Sequence, residues 1–221
     1  MKKILTAAIA LAVSMSAFAQ SNFSIGIGET LRHRMGTNEM ATNALTSAQS
    51  GLMIEATYGY DFSDYVGLTA GARFSFEGIY NKKVVDLKIL GVKMQSKWLN
   101  NFLEVPVNVK FHVNPGSAVD FFVAAGPTFS FWAGSTIKTY TEVVSPDGNV
   151  NVNKSNLFEK DNNYFNRCNI GAGLTLGLDI IDHIRVTLGY DYYFLDQISK
   201  GTTGAGTLKN GCGRLGVAYI F

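Results

Sequence analysis

Proline is scarce in this chain, with 4 in 221 residues, and cysteine scarcer still, with 2. Apart from a short run near the start, no apolar stretch approaches the roughly 20 residues that a membrane-spanning helix needs, so helices are excluded as the way across a bilayer. Two cysteines cannot build a disulfide scaffold. Cys168 and Cys212 can form at most one bridge, in an oxidising compartment, if their Cα atoms come within about 7 Å. Charge of one sign is also lacking: 19 basic residues stand against 17 acidic ones, and two of the lysines lie in the first three positions. Such a balance offers no footprint for nucleic acid. There is no cluster with metal-ligand spacing and no phosphate-cradling glycine loop, so no metal and no cofactor are expected.

What is present begins with an export signal. Lys2 and Lys3 precede an apolar run over residues 4–13, and Ala17, Phe18 and Ala19 give the small-x-small pattern cleaved before Gln20. Residues 1–19 are therefore expected to be removed, leaving 20–221 as one domain. No cysteine follows the cleavage site, which argues against a lipid anchor. The chain has 23 glycines and 12% aromatic residues, a composition suited to twisted strands.

Alternation of apolar and polar residues marks eight segments of about 10 to 15 residues, the length a tilted membrane strand requires. They are expected at residues 22–32, 52–62, 66–76, 98–113, 119–132, 164–180, 183–194 and 210–221. Their connections alternate between tight turns, at 63–64, 114–118 and 181–182, and long segments, at 33–50, 77–97, 133–163 and 195–209. An all-β fold follows: an eight-stranded antiparallel transmembrane β-barrel with short periplasmic turns, long extracellular loops and both termini periplasmic. Within the longest connection, Ser145-Pro146-Asp147-Gly148 is a turn signal between two alternating runs, which predicts a hairpin projecting past the membrane.

A soluble eight-stranded barrel would alternate too, and charge placement separates the two. In the second and third strands Leu52, Ile54, Ala56, Tyr58 and Tyr60, and Leu68, Ala70, Ala72, Phe74 and Phe76, form wholly apolar faces. Glu55, Arg73, Glu104, Lys110, Arg185 and Asp191 fall on the opposite, Gly/Thr-rich faces. A dry interior cannot hold those charges unpaired, and apolar bands turned to water would aggregate. Aromatics gather near strand ends, Phe62, Tyr65 and Phe111 at one end and Phe76 and Trp98 at the other, as interfacial girdles do. The chain ends on Phe221 after Leu215, Val217 and Tyr219, a terminal strand of the kind read by the barrel-assembly machinery.

The runs Phe102-Leu103-Glu104-Val105-Pro106-Val107-Asn108-Val109-Lys110-Phe111 and Phe121-Phe122-Val123-Ala124-Ala125-Gly126-Pro127 resemble the Leu-Glu-x-Pro and Ala-Gly-Pro strands of the outer-membrane β-barrel family often labelled porin-like. Its members are similar to the small outer-membrane proteins of the A and X types. The resemblance spans essentially the whole of 20–221. It implies a barrel in the outer membrane of a Gram-negative bacterium and no catalytic residue.

Turn symmetry arranges the charges. A turn centred on Asp64 sets Glu55 opposite Arg73, and one centred on Asp182 sets Asp179 opposite Arg185. Opposite charges facing across strands stabilise each other by roughly 0.2 to 1 kcal/mol. The expected lumen network is Glu55, Arg73, Glu104, Lys110, Asp179, Arg185 and Asp191, which either fills the barrel or lines a polar path. An eight-stranded barrel is just wide enough for side chains to fill, which favours filling. Pro106 reads as a bulge or an unused donor position, or else as a kink that shapes the lumen around Glu104 and Asn108.

Enzymes that act on lipid A need a nucleophile, a histidine base and a carboxylate facing lipid near the outer rim. His112 and His183 sit by the short turns and His33 opens a long loop, so no enzyme is expected. Lys82, Lys83, Lys88, Lys93 and Lys97 surround Asp86 in the third-to-fourth connection and form a basic outer rim. Lipopolysaccharide phosphates are its candidate partner beside the membrane lipid, and a monomer is expected. The function expected is a structural or surface-interaction role, with a narrow porin-like channel for small solutes as the alternative.

Overall fold

A computed structural model describes residues 21–36, 48–78, 83–87, 92–143, 150–156, 165–199 and 206–221. The proposed signal lies outside them. Ten strands run in chain order: β1 (Ser21–Gly36), β2 (Gln49–Asp61), β3 (Val66–Glu77), β4 (Lys83–Leu87), β5 (Val92–His112), β6 (Val119–Val143), β7 (Val150–Asn156), β8 (Cys168–Ile180), β9 (Ile184–Tyr193) and β10 (Leu208–Ile220). Eight of these close into an antiparallel barrel in the order β5-β3-β2-β1-β10-β9-β8-β6, with β6 returning to pair with β5. Closure leaves no open edge among these eight strands, so the backbone groups of the wall pair within the protein, as hydrocarbon surroundings demand.

The two remaining strands lengthen the wall at the loop end. β4 pairs with Val92–Ser96 of β5, and β7 pairs with residues 136–142 of β6 as the two arms of the expected hairpin, whose turn at residues 145–148 lies outside the described residues. β5 and β6 continue pairing with each other up to Val92↔Val143, so both run well past the ends that alternation marks. A one-residue bulge between Asn101 and Phe102 separates this extension from the membrane portion.

At the other end three tight turns join β2 to β3, β5 to β6 and β8 to β9. In the last of them Ile181 and Asp182 both take left-handed backbone angles, φ 51° and 58°, and the His183 N–H closes the turn on the Ile180 carbonyl at 3.2 Å. The C-terminus closes the ring here, where the Phe221 N–H donates to the Phe23 carbonyl at 2.8 Å.

Of the two readings of Pro106, a bulge or an unused donor position, the structure has the second. Ladder pairing between β3 and β5 simply lapses opposite Gly71 and Ala72 and resumes in the same register. Pro127 breaks the same rule, and the β5–β6 ladder lapses beside it, opposite Val107 and Asn108. Each proline occupies a position whose missing N–H is not asked to bond.

The outward face is apolar. Ile27, Ile54, Leu68, Val109, Phe129, Leu174, Leu188 and Val217 are all exposed, whereas Arg73, Glu104, Lys110 and Asp191 are buried. Phe62, Tyr65, Phe111, Tyr219 and Phe221 ring the turn end, and Phe76, Phe129, Phe131 and Phe194 the loop end. Trp98 departs from the expected girdle and packs instead against the stacked Phe102–Trp132 pair at the loop end of the interior, with Phe165 beside it. A second small apolar cluster, Ile198 with Leu208, also touches Trp98 and Phe165.

Candidate functional site

The interior holds two charge networks. In the loop-side half, Arg32 Nε donates to Glu77 at 2.7 Å and Arg32 Nη2 to Glu104 Oε1 at 2.7 Å. Arg73 Nε donates to Glu55 at 2.7 Å, and its Nη1 reaches Glu104 Oε2 at 3.0 Å and Asp191 Oδ2 at 3.1 Å. The Tyr193 hydroxyl donates to Glu104 Oε1, and Thr128 Oγ1 to Asp191 Oδ1 at 3.0 Å. Arg214 Nε stands 2.7 Å from Asp191 Oδ2 as an ion pair without the alignment of a hydrogen bond. The Arg32 guanidinium also lies 4.0 Å over the Phe102 ring. These side chains come from every wall strand except β8.

The second network lies toward the turn end. Arg185 grips Asp179 with two hydrogen bonds, at 2.7 and 2.8 Å, and Lys110 Nζ joins the same carboxylate at 3.1 Å. Phe122 lies beneath both cations, 4.4 Å from Lys110 Nζ and 5.1 Å from the Arg185 guanidinium. His112 bridges Asp120, through Nδ1, and Asp61, at 3.3 Å through Nε2.

Between the two networks remains a cavity of about 40 Å³ lined by Thr57, Thr69, Asn108, Thr175 and Thr187, room for a few water molecules. A vestibule of about 510 Å³ opens at the turn end, walled by Asp61, His112, Asp120 and Asp179, and Arg185 lines both spaces. The side chains of Arg32, Arg73, Glu104 and Asp191 are no more than 2% exposed, so the loop-side network fills its part of the interior.

Sequence-predicted residues thus meet in groups. Glu55, Arg73, Glu104 and Asp191 come together in the first network, and Lys110, Asp179 and Arg185 in the second. Glu55 stands directly across from Arg73 and Asp179 across from Arg185. Sequence reasoning missed Arg32, Glu77, Arg214 and Tyr193, and with them Arg34, buried beside Gln49. Arg32 already lay within the first expected strand, on the face of Thr30, and extending the inward parity of β1 by two residues and of β3 by one would have added Arg34 and Glu77, since Glu77 shares a face with Arg73 and Ser75.

Of the basic rim, Lys82 and Lys88 lie outside the described residues; Lys83 is a backbone partner in β4, Lys93 and Lys97 in β5. His33 does not open a loop but sits within β1, its ring stacked on Tyr190 with Nε2 3.2 Å from the phenol oxygen. Cys168 and Cys212 are both free, one exposed on β8 and the other buried on β10, with β9 between them. Among the described residues no three or more His, Cys, Asp or Glu side chains are gathered as a metal site.

The family described as outer membrane protein beta-barrel domain matches residues 5–221. Solved structures similar to the chain include Ail, the attachment invasion locus protein of Yersinia pestis, at 14% identity and a TM-score of 0.43, covering 91% of this chain and 99% of that one. OprG of Pseudomonas aeruginosa shares 14% identity at a TM-score of 0.45, covering 91% and 96%. Neisserial surface protein A shares 13% at 0.41, covering 90% and 97%. No curated protein sequence matches.

Proposed function

The chain belongs to the outer-membrane protein β-barrel domain family, and from that premise we propose that it is a non-conducting barrel with a structural or surface-interaction role. Its carrying observation is the ion-paired, buried centre: Glu104 accepts from Arg32, Arg73 and Tyr193 at once, which fills the width a solute would need. In this reading the tight turns and both termini face the periplasm, residues 1–19 direct export, and the barrel works as a monomer without catalysis. The extended β5–β6 wall with β4 and β7 then stands outside the cell. It carries the lysine-rich segment toward lipopolysaccharide phosphates, and the terminal strand is the handle for the barrel-assembly machinery.

Conductance of the purified, folded protein in planar bilayers tests the reading against a narrow channel. A silent bilayer is expected; reproducible unitary steps would overturn the plug and support the channel.

A further inference from the structure

Glu29 breaks the outward pattern of β1. It is exposed between Ile27 and Leu31, and between the two aromatic girdles it is the one charged side chain turned outward among the described residues. The next outward charge, Lys209, pairs across from Met35 at the loop end. Among the described residues no side-chain hydrogen bond or ion pair engages the Glu29 carboxylate. With strands tilted about 40° and rising about 2.5 Å per residue along the barrel axis, Glu29 stands about 15 Å above Phe23, in the loop-side half of an apolar band about 25 Å tall. A charge there is costly.

Beside it the wall is indented. A groove of about 600 Å³ runs over β1, β10, β9 and β8, its walls formed by Leu31, Leu174, Leu176, Leu188 and Leu215, with Glu29 at its edge. Gly213 leaves the floor low: a Cβ added there would meet only the Leu31 carbonyl oxygen, at 3.8 Å. At the loop end His33 and Tyr190 close over Gly211, where an added Cβ would strike the His33 ring and the Tyr190 hydroxyl.

A second copy does not answer this site. Two barrels in one membrane are related by rotation about its normal, which preserves depth, and at the depth of Glu29 a copy offers no outward cation among the described residues. An ordinary diacyl phospholipid offers ester carbonyls near that level, and these accept hydrogen bonds, as a carboxylate does. What complements Glu29 is a lipid with donors at the head of its chains.

We propose that this groove binds one outer-leaflet lipid of the hydroxyacyl, amide-linked class, its chain lying along Leu31, Leu174 and Leu188 and its hydroxyl or amide N–H donating to Glu29. The site rests on the loops-outward membrane reading above.

The test is native mass spectrometry of the folded full chain in detergent, titrated with hydroxyacylated lipid A or with dioleoylphosphatidylcholine. Wild type is expected to retain one lipid A, at least tenfold more tightly than the phosphatidylcholine. Gly213→Leu, which fills the floor from the lipid side, is expected to weaken lipid A retention at least tenfold, and Glu29→Leu to abolish the preference over phosphatidylcholine. Ala70→Leu, on the opposite wall, should change neither. Equal retention of the two lipids by wild type, or unchanged retention by Gly213→Leu, would overturn the proposal. Heat-modifiable migration in gels reports separately whether each variant forms the barrel, so loss of the lipid site is distinguishable from failure of the membrane reading.

Discussion

Glu104 stands where three donors converge, with Arg32 and Tyr193 on one oxygen and Arg73 on the other, and with no exposed side-chain surface. Removing one member of a buried ionic group leaves its partners charged and unpaired, which costs about 3 to 5 kcal/mol. Glu104→Ala should therefore destabilise the barrel by about that amount, measured by urea unfolding from lipid vesicles, whereas Asp64→Ala on an exposed turn should stay within about 0.5 kcal/mol. Equal effects would mean that the network does not hold the wall together. Such pairings were legible in part. Glu55 with Arg73 and Asp179 with Arg185 follow from the midpoint of a short turn, a local property. The convergence on Glu104 does not, because Arg32 reaches it across the interior, and which residues meet there depends on how the closed barrel staggers its strands.

Strand identity was legible from alternation, and strand ends were not. Alternation reports burial against lipid, so it stops where the membrane stops, while hydrogen bonding between β5 and β6 continues to Val92 and Val143. The early ends assigned to the first and third strands kept Arg34 and Glu77 out of the expected network for the same reason. β8 erred the other way: it begins at Cys168, because the Asn166 N–H turns aside to the Gln197 carbonyl. The closing element is β10, joined to β1 from Ser24↔Ile220 to Gly36↔Leu208. Phe221 completes it, with a backbone bond to Phe23 and ring contacts 5.9 Å from Phe23 and 5.0 Å from Tyr219. Deleting Phe221 should lower the heat-modifiable folded fraction in cells more than Phe194→Ala does, since Phe194 contacts Tyr192 at the loop end and closes nothing. Equal yields would remove the terminal residue from assembly.

At the scale of the molecule the account depends on one inversion: apolar side chains outside, charges inside. Leu68 and Thr69 are adjacent in β3 and face opposite ways, Leu68 40% exposed on the outer wall between Tyr60 and Val109, Thr69 7% exposed beside the small interior cavity. Asparagine at position 68 places an amide in hydrocarbon, at a cost of about 2 kcal/mol, whereas at position 69 it replaces one polar group by another. Folding yield and urea midpoint in lipid vesicles compare the two directly. Leu68→Asn is predicted to be the more damaging, and greater damage from Thr69→Asn would contradict the placement of lipid outside and charge within.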